Sequence, residues 1–446
     1  MGTVDRHTVV LSTARTPFGK LGGGLAPLSA TTLGAVALAA AIERAGIDPS
    51  DVEHAIMGQV LQAGAGQNPA RQASFKAGLA KTVTAETVNK VCASGMLAIA
   101  SAMRLIDAGA NRLIVAGGME SMSNAPYLLR DARFGYRFGD GALVDSMIAD
   151  GLWDQYFPMT MATQGSLVAD ELGLTREAQD RFAYESHHRA HDAHEGGHFD
   201  VEIVPVKVAS KARGKVVVDR LPRRGEIRVP ATVGGASSSW GHQPSERFSL
   251  DYEAYAPFVT GDVPNTLVDR DEAVRADTSL ETLARLKPLE KGGTISAGNA
   301  PGVNDGAAAL VLADAQYAAS HGLTALARIQ DHVTVGWDSP YIALTPAMAA
   351  QQLLEKHGLK REHVHVWEIN EAFASVAITS ALKLGLDPAE INRFGGAVAM
   401  GHPIGASGAR IVGAVINQLR KRGGGIGIAA ICSGGGQGDA MLIRVD

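Results

Sequence analysis

The chain repeats one structural unit in its first and last thirds. Residues 92–95 (CASG) open an Ala-rich helical pattern that leads to an apolar strand and to Gly117-Gly118. Residues 405–408 (GASG) open a second helical pattern that leads to a strand and to the glycines at 434–436. Each copy reads as loop, helix, strand and glycine turn. Such a chain is restricted to folds in which two similar halves pack together.

Short apolar runs alternate with helical patterns in both halves. The predicted strands are 8–14 (TVVLSTA), 112–118 (RLIVAGG), 363–370 (HVHVWEIN) and 425–431 (GIGIAAI). The predicted helices are 31–45, 94–108, 371–384 and 406–422. This alternation is typical of an α/β fold.

The middle of the chain breaks the pattern. Between the halves lie long irregular stretches, a predicted helix over 175–195, a predicted strand over 201–208 and a polar run rich in Pro and Gly. We interpret this region as an inserted loop domain. The predicted boundaries are 1–122 for the first part of the N-terminal half, 123–297 for the loop domain, 298–324 for the last part of the N-terminal half and 325–446 for the C-terminal half.

Charge and cysteine content exclude several classes of protein. The 446 residues carry a net charge of −5 with both signs interspersed, which argues against a nucleic-acid partner. No apolar run approaches the roughly 18 residues of a membrane span, and the first residues read as a strand and turn, without a secretory leader. Two cysteines exclude a disulfide scaffold and fit a reducing compartment. We therefore expect a cytoplasmic protein.

Cys92 stands just before a predicted helix, in VNKVCASGMLAIASAM. Exposed N–H groups and the helix dipole favour an anion there, so the pKa of this thiol is expected to fall below its usual value of about 8.5. Such a thiol is a ready nucleophile. The alternative is a buried and inert cysteine, the commoner role of a lone Cys in apolar surroundings.

Two more residues have positions suited to catalysis. His402 lies between Gly401 and Pro403, on a stiff loop before a helix, where a base would be held in place. Cys432 ends a predicted strand, and the glycines after it allow a substrate and backbone donors to approach closely. The alternatives are a structural loop histidine and a core residue at a strand end.

Asn370 and Glu371 follow the strand at 363–370. The Asn370 amide has a position from which it either caps the next helix or touches a substrate. Glu371 has the position of an acid that stabilises the start of a helix, and we do not assign it to catalysis.

Two further patterns are weaker. The run GIGIAA resembles a dinucleotide fingerprint, but it leads into a strand, so nicotinamide binding is not expected. Four histidines share one helical face at i, i+4, i+7 and i+11, a spacing that suits a transition metal: His187, His191, His194 and His198. A solvated polar face is favoured, because no acidic or cysteine ligand completes the set, and no metal site is predicted.

Four motifs, taken in order and spacing, resemble those of the thiolases, the CoA-dependent acyltransferases that make or cleave 3-ketoacyl-CoA. They are VNKVCASG (88–95), WEINEAFA (367–374), GGAVAMGHPIGASGAR (395–410) and CSGGGQG (432–438). Residues 14–19 (ARTPFG) and 298–309 (GNAPGVNDGAAA) are also similar. The resemblance implies a duplicated five-layered α/β/α/β/α fold with an inserted loop domain, assembled as a homodimer or homotetramer.

The resemblance also implies roles for single residues. Cys92 corresponds to the nucleophile that takes the acyl group, and His402 to the histidine that activates it. Cys432 corresponds to the second cysteine, which acts as acid and base. Asn370 corresponds to the asparagine that holds a water of one oxyanion hole, and the N–H groups of Cys92 and Gly434 correspond to the second hole.

The implied CoA and acyl contacts lie on other segments. Residues 271–288 are similar to the segment that grips CoA, which places Arg275 against the nucleotide. Proline at 301 departs from the serine of many relatives and has no side-chain donor. The full set assigned to CoA or acyl binding is Arg275, Thr282, Ala297, Pro301, Phe373 and Met161.

Residues of about 217–268 exceed the compact members of the family. This segment is rich in aromatic residues, and we interpret it as a self-packed surface loop in preference to a partner contact. Its aromatic residues are Trp240, Phe248, Tyr252, Tyr255 and Phe258.

The functional hypothesis is an acetyl-CoA C-acyltransferase that acts on acetoacetyl-CoA or another short to medium 3-ketoacyl-CoA. Its expected partners are acetyl-CoA, CoA and 3-ketoacyl-CoA, with no metal or redox cofactor for the chemistry. Two alternatives stay open. One is a decarboxylating enzyme of the β-ketoacyl synthase type, which uses a histidine where this chain has Cys432. The other is a non-catalytic protein that binds acyl-CoA or lipid.

Overall fold

The structure is a computed structural model that describes residues 7–209 and 265–446. Its strands are β1 (Thr8–Arg15), β2 (Gly19–Lys20), β3 (His54–Gly58), β4 (Thr84–Val88), β5 (Leu113–Ser121), β6 (Tyr127–Leu128), β7 (Val144–Asp145), β8 (Trp153–Asp154), β9 (Met159–Thr160), β10 (Val206–Ala209), β11 (Asn265–Val268), β12 (Asn304–Asp314), β13 (Ala327–Gly336), β14 (Val366–Ile369), β15 (Gly425–Ser433) and β16 (Gln437–Val445). Its helices are α1 (Ala30–Ala45), α2 (Pro69–Lys76), α3 (Ser94–Asp107), α4 (Met161–Glu171), α5 (Arg176–Glu195), α6 (Leu280–Ala284), α7 (Ala315–Ser320), α8 (Thr345–Lys356), α9 (Ala374–Lys383), α10 (Ala397–Met400) and α11 (Ser407–Arg422).

The four predicted strands and four predicted helices of the two halves are all present, as β1, β5, β14, β15, α1, α3, α9 and α11. Helix α1 ends as expected, since Gly46 adopts the left-handed conformation with φ 65°. Four boundaries were wrong by three residues or more. Helix α9 begins at Ala374 and not at Glu371, and the strand expected over 201–208 forms only at Val206–Ala209. Strand β14 begins at Val366 and not at 363, and β5 continues to Ser121 and does not end at 118.

The two halves of the sheet are built alike. Strand order is β14-β15-β16-β13-β1-β12-β5-β3-β4, with β2 paired to β12. In the first half, β1, β12 and β5 are antiparallel and β3 joins β5 in parallel; in the second, β13, β16 and β15 are antiparallel and β14 joins β15 in parallel. The halves meet at only two residue pairs between β1 and β13, Val9 with Arg328 and Val10 with Ala327.

Helices cover both halves in five layers. One apolar core joins α1 and α2 to the first half of the sheet, and another joins α8 and α9 to the second half. The central core contains side chains of α3, α11 and both halves of the sheet, among them Met96, Ile99, Val412 and Ile416. The expected duplicated α/β/α/β/α architecture is therefore confirmed.

The repeated Ala-Ser-Gly motifs meet at the centre of the molecule. A Cβ on Gly95 would lie 2.9 Å from the Gly405 carbonyl oxygen, and a Cβ on Gly408 would lie 2.5 Å from the backbone nitrogen of Met96. The absence of a side chain at each glycine therefore lets the backbone of the other motif pack directly against it. Because these motifs precede α3 and α11, the contact brings the loops that carry Cys92 and His402 together.

Buried charges attach the inserted region to the first half. The Arg15 guanidinium donates to both carboxylate oxygens of Asp271, at 2.7 and 3.0 Å, and to Glu202 at 3.1 Å. His194 of α5 contacts the same Asp271 carboxylate at 3.1 Å. The predicted loop at about 217–268 lies outside the described residues except for its last four positions, and its aromatic residues Trp240, Phe248, Tyr252, Tyr255 and Phe258 all lie outside them.

None of the helices within residues 7–209 and 265–446 combines the length and the apolar content needed to cross a bilayer.

We predict that Gly118→Ala lowers the free energy of unfolding by about 1–3 kcal/mol, as overpacked sites do. A Cβ at this position of β5 would overlap the carbonyl oxygen of Gly405, on the loop of the second half. Denaturant titration measures the change. Gly336→Ala in β13 is the matched control, because nothing lies within 4 Å of a Cβ there and its φ is not positive. Equal losses in the two variants would contradict the close approach.

Candidate active site

The loop before α3 holds Cys92 in a strained backbone. Val91 has φ 42°, which is unfavourable for a β-branched residue. Its N–H donates to Asn89 Oδ1 at 3.0 Å, and its carbonyl oxygen accepts from Ser94 Oγ at 2.6 Å. Strain of this kind persists only where the surroundings fix it, and it is concentrated at functional sites.

Burial controls the protonation of the Cys92 thiol. Desolvation raises its pKa to about 12, and the carboxylate of Glu120 adds to the effect. The N–H groups of Gly434 and of Cys92 itself point to the sulfur and act in the opposite direction. The expectation of a lowered pKa at a helix N-terminus was therefore wrong, because the loss of water outweighs the dipole. The Cys92 sulfur is therefore a thiol in the resting protein, and a base would have to remove its proton before it could act as a nucleophile.

Cys432 lies close to Cys92. It is 1% exposed at the end of β15, where burial raises its pKa well above the usual value and a charge on Cys92 raises it further. The Ser433 hydroxyl, next to Cys432, donates to the Lys90 carbonyl oxygen, two residues before Cys92, and so brings the two segments together. Cys432 packs in an apolar cluster with Val168 and Val376, against which Met161 and Phe373 also pack.

His402 lies on the loop between α10 and α11 with its ring fixed at one nitrogen. Ser407 Oγ lies 2.5 Å from His402 Nδ1 and 3.0 Å from the Pro403 carbonyl oxygen. We assign the proton of the neutral ring to Nδ1, the tautomer in which Ser407 accepts from the ring and donates to the carbonyl. The lone pair then resides on Nε2, which is buried and has no partner among the described residues. Burial, with the Arg410 charge, lowers the pKa of His402 to about 3. A neutral imidazole with a free lone pair is a proton acceptor.

The side chain of Asn370 has no hydrogen-bond partner among the described residues. The residue is fully buried, yet both its Oδ1 and its Nδ2 are unpaired. It caps no helix, since α9 starts at Ala374 with Phe373 as its N-cap, so the capping alternative was wrong. Leaving a buried polar group unpaired costs about 1–3 kcal/mol, and such groups in a native structure need an explanation. A water or a substrate oxygen supplies one.

Glu371 is a structural acid. Its carboxylate accepts from Ser186 Oγ at 2.8 Å, Asn392 Nδ2 at 2.9 Å and the Val398 N–H at 3.0 Å. The sequence position of Glu371 indicated that it stabilises the start of α9. The structure shows that it does not, because its carboxylate is bonded elsewhere. It joins the Asn370 turn to α5 and to α10, the helix that precedes His402.

Two positioning residues were missed by the sequence analysis. The buried Glu120 carboxylate accepts from the N–H groups of Val60 and Gly405, both at 3.0 Å, and burial raises its pKa to about 7. Asn304 Oδ1 accepts from the His402 N–H at 2.9 Å. Glu120 could have been found from the sequence, because a carboxylate at the end of the apolar run LIVAGGME (113–120) is unusual.

The residues assigned to CoA and acyl binding divide into two groups. Met161 and Phe373 pack beside Cys432, as described above. Phe373 also lies directly on Gly165 of α4, where a Cβ would be 2.7 Å from its ring. Pro301 is half-buried, and none of the remaining three belongs to the apolar cluster of described residues that contains Cys432. Those three are exposed: Arg275, Thr282 and Ala297.

The histidine face of α5 is not a solvated face. His187 is buried and accepts from the Arg275 N–H at 3.2 Å, and burial together with the Arg275 charge lowers its pKa to about 4. His194 contacts Asp271, and His198 contacts Lys421. In the part of the chain that the structure describes, no three His, Cys, Asp or Glu side chains are placed to hold a metal ion.

We predict that Asn370→Ala leaves the free energy of unfolding unchanged or raises it, because it removes two unpaired buried polar atoms. The turnover number should fall about 100- to 1,000-fold if the amide helps to stabilise an oxyanion. Asn392→Ala is the control, since the Asn392 amide donates to Ile369 and Glu371 and its loss should destabilise the protein. Thermal unfolding and steady-state rates of both variants measure the contrast.

A second prediction concerns acid stability. The pKa of His402 is lower in the folded chain, about 3, than its ordinary 6.5. Below pH 6.5 the unfolded chain binds a proton at this histidine that the folded chain does not. The free energy of unfolding of the wild type therefore decreases as the pH is lowered. Between pH 7 and pH 5 this effect amounts to about 2 kcal/mol. His402→Gln lacks it, so the stability difference between wild type and variant should shift by that amount; a pH-independent difference in denaturant titrations would contradict the buried neutral ring.

Comparison with known proteins identifies relatives over the whole chain. Residues 8–227 and 256–316 match the thiolase N-terminal domain, and residues 323–445 match the thiolase C-terminal domain. The acetyl-CoA acetyltransferase of Cupriavidus necator is 41% identical over 437 residues, which cover 98% of each chain. That of Escherichia coli is 42% identical over 441 residues, 98% of this chain and 99% of its own. The crystal structure of the Bacillus anthracis acetyl-CoA acetyltransferase is 33% identical, with a TM-score of 0.86 over 100% of both chains.

Proposed function

Because this chain belongs to the thiolase family of acyltransferases, we propose that it is an acetyl-CoA C-acyltransferase working through an acyl-enzyme on Cys92. The proposed substrate is acetoacetyl-CoA or another short 3-ketoacyl-CoA, cleaved by CoA or formed from two molecules of acetyl-CoA. The observation that carries the proposal is the set of unpaired polar atoms, His402 Nε2 and the Asn370 amide, in a protein where Cys92 and Cys432 interact.

The first half-reaction needs a nucleophile, a base and an oxyanion hole. In the proposed step His402 Nε2 takes the Cys92 proton while the sulfur attacks the thioester carbonyl of acetyl-CoA. The N–H groups of Cys92 and Gly434, which already point to the sulfur, would then donate to the oxyanion. CoA leaves as the thiol with the proton from His402, and the acetyl group stays on Cys92. Neither a thiolate nor an imidazolium is stable alone in this buried site, so proton transfer and attack are coupled.

The second half-reaction makes or breaks the carbon–carbon bond. After CoA has left, His402 Nε2 would take the Cys432 proton, and the Cys432 thiolate would then take a proton from the methyl group of a second acetyl-CoA. The resulting enolate attacks the acetyl group on Cys92, and the Cys92 thiolate that leaves takes its proton back from His402, which gives acetoacetyl-CoA and the resting enzyme. The enolate oxygen would accept hydrogen bonds from the protonated His402 Nε2 and from a water on the Asn370 amide, which accounts for the unpaired atoms of both side chains. Thiolysis follows the same steps in reverse.

A short acyl group fits the surroundings of Cys432. The Phe373 ring closes one wall by lying on Gly165, and Met161 packs in the same cluster. We propose that this cluster forms the end of a short acyl pocket next to the sulfur. We therefore expect the rate to fall as the 3-ketoacyl chain is lengthened.

CoA would be held as a substrate by exposed residues of the inserted region. Arg275 presents a guanidinium that suits the nucleotide phosphates. Thr282 and Ala297 are exposed near it in sequence, and Pro301 would make only an apolar contact with the pantetheine. The chemistry proposed above uses no metal or redox cofactor, since CoA supplies the thioester.

We also propose a cytoplasmic homodimer or homotetramer. Strand β4 lies at one edge of the sheet and pairs there only with β3 among the described strands. Its five residues are half-buried or exposed, and such an edge is available for a strand of a second copy.

The decisive experiment measures two reactions of three proteins. Wild type should catalyse both CoA-dependent cleavage of acetoacetyl-CoA and exchange of acetyl groups between acetyl-CoA and CoA. Cys92→Ser should lose both by at least about a thousandfold. Cys432→Ser should lose cleavage to a similar extent but keep exchange, because exchange needs only the first half-reaction. Equal cleavage by wild type and Cys92→Ser would end the proposal.

The same assays separate the alternatives. Carbon dioxide release from malonyl-CoA without acetoacetyl-CoA cleavage would indicate a decarboxylating condensing enzyme. Tight CoA binding with no acetylated Cys92 in the intact mass would indicate a binding protein.

A further inference from the structure

Lys90 joins the Cys92 loop to the strand that carries Cys432. The Lys90 N–H donates to Ser94 Oγ at 2.8 Å, at the start of α3. Its carbonyl oxygen accepts from the hydroxyl of Ser433, which is 343 residues away along the chain and next to Cys432. The backbone of this one residue is therefore bonded to both cysteine-bearing elements.

The Lys90 side chain makes a second connection to the same part of the sheet. Its Nζ lies 2.8 Å from Asp439 Oδ2 and 3.1 Å from Thr334 Oγ1. Asp439 is on β16, paired with Ile431, the residue before Cys432. On its other side the Asp439 carboxylate bonds to His332 Nε2 at 2.8 Å.

The Lys90–Asp439 pair is held away from water. The Asp439 side chain has no exposed surface, and that of Lys90 is 11% exposed. Burial raises the pKa of Asp439, but the His332 bond and the Lys90 charge outweigh it and hold the pKa below its usual range. Buried ion pairs contribute little net stability, because desolvation offsets their attraction. We therefore consider how the Lys90–Asp439 pair fixes the positions of the segments that it joins, and not how much stability it contributes.

A displacement of Lys90 would also displace Val91, Cys92 and the Gly434 N–H. The next residue, Val91, has the left-handed φ of 42° and precedes Cys92. The Val91 side chain packs on Gly434, where a Cβ would lie 3.3 Å from Val91 Cγ1. Gly434 supplies one of the two N–H groups that point to the Cys92 sulfur.

We infer that the Lys90–Asp439 ion pair is a positioning device that sets the separation of the Cys92 and Cys432 sulfurs and the direction of the Gly434 N–H. The inference rests on the proposed function for its kinetic consequence. Its geometric consequence can be tested without activity.

The geometric test uses the fact that the chain contains only two cysteines. The reagent 1,3-dibromoacetone alkylates both sulfurs with loss of two HBr if they lie within its span, and the intact mass distinguishes one bridge from separate adducts. Wild type should give the bridge. Lys90→Met and Asp439→Asn should give mainly separate adducts, and Lys90→Arg should restore bridging.

The kinetic test follows acetoacetyl-CoA cleavage in the same proteins. Lys90→Met should lower kcat about 10- to 100-fold, the effect of a misplaced reacting group, with KM within about twofold of wild type. The double variant Lys90→Met with Asp439→Asn should lose no more than the worse single variant. Lys356→Met is the matched control, because Lys356 forms an exposed pair with Asp331 at 2.6 Å on the neighbouring strand. Its kcat and bridging should stay within about twofold of wild type.

The outcomes separate this inference from the proposed function. Bridging and kcat within twofold of wild type in Lys90→Met, or equal losses in Lys356→Met, would overturn the positioning role. If wild type bridges its cysteines but cleaves no 3-ketoacyl-CoA, the proposed function fails while the bridging of the variants still decides the geometry. If Lys90→Met does not fold, Asp439→Asn, which keeps the size of the side chain, decides it.

Discussion

The structure depends on a close backbone contact between its two halves. Where α3 and α11 begin, Gly95 and Gly408 each occupy a place in which a side chain would collide with the other copy of the motif, and Gly118 does the same against Gly405. Apolar packing between helices tolerates small shifts, whereas a backbone contact that leaves no room for a Cβ does not. The duplicated halves are therefore fixed at the point where the loops that carry Cys92 and His402 meet.

Burial then determines which charges the site can carry. Desolvation raises the pKa of both cysteines and lowers that of His402, so all three groups are neutral in the resting protein. A charge would form on these groups only when a proton is transferred. The N–H groups of Cys92 and Gly434 already point to the Cys92 sulfur. The Asn370 amide lowers stability, because its two buried polar atoms have no partner among the described residues, and the proposed oxyanion hole would account for it.

Local patterns placed eight of the regular elements of the two halves, and the five-layered arrangement came from the family resemblance. Helix period, strand composition and the end of α1 at Gly46 depend on neighbours in sequence, which is why these eight elements could be predicted. The errors arose where distant residues decide. The Cys92 pKa is set by burial under other segments, Glu371 bonds to Ser186 and Val398, and His194 pairs with Asp271. Each of these partners is far away in sequence. Helix period and capping depend only on residues a few positions apart, so they could not predict these contacts.

Directional polar contacts accompany the apolar clusters that attach the inserted region to both halves. The bidentate Arg15–Asp271 pair permits one arrangement only, since a shift of about 1 Å would break both bonds and leave buried charges unpaired. The Glu371–Ser186 bond fixes α5 to the Asn370 turn in the same way. The residues of the candidate site thus come from distant parts of the chain, and directional bonds between those parts fix their relative positions.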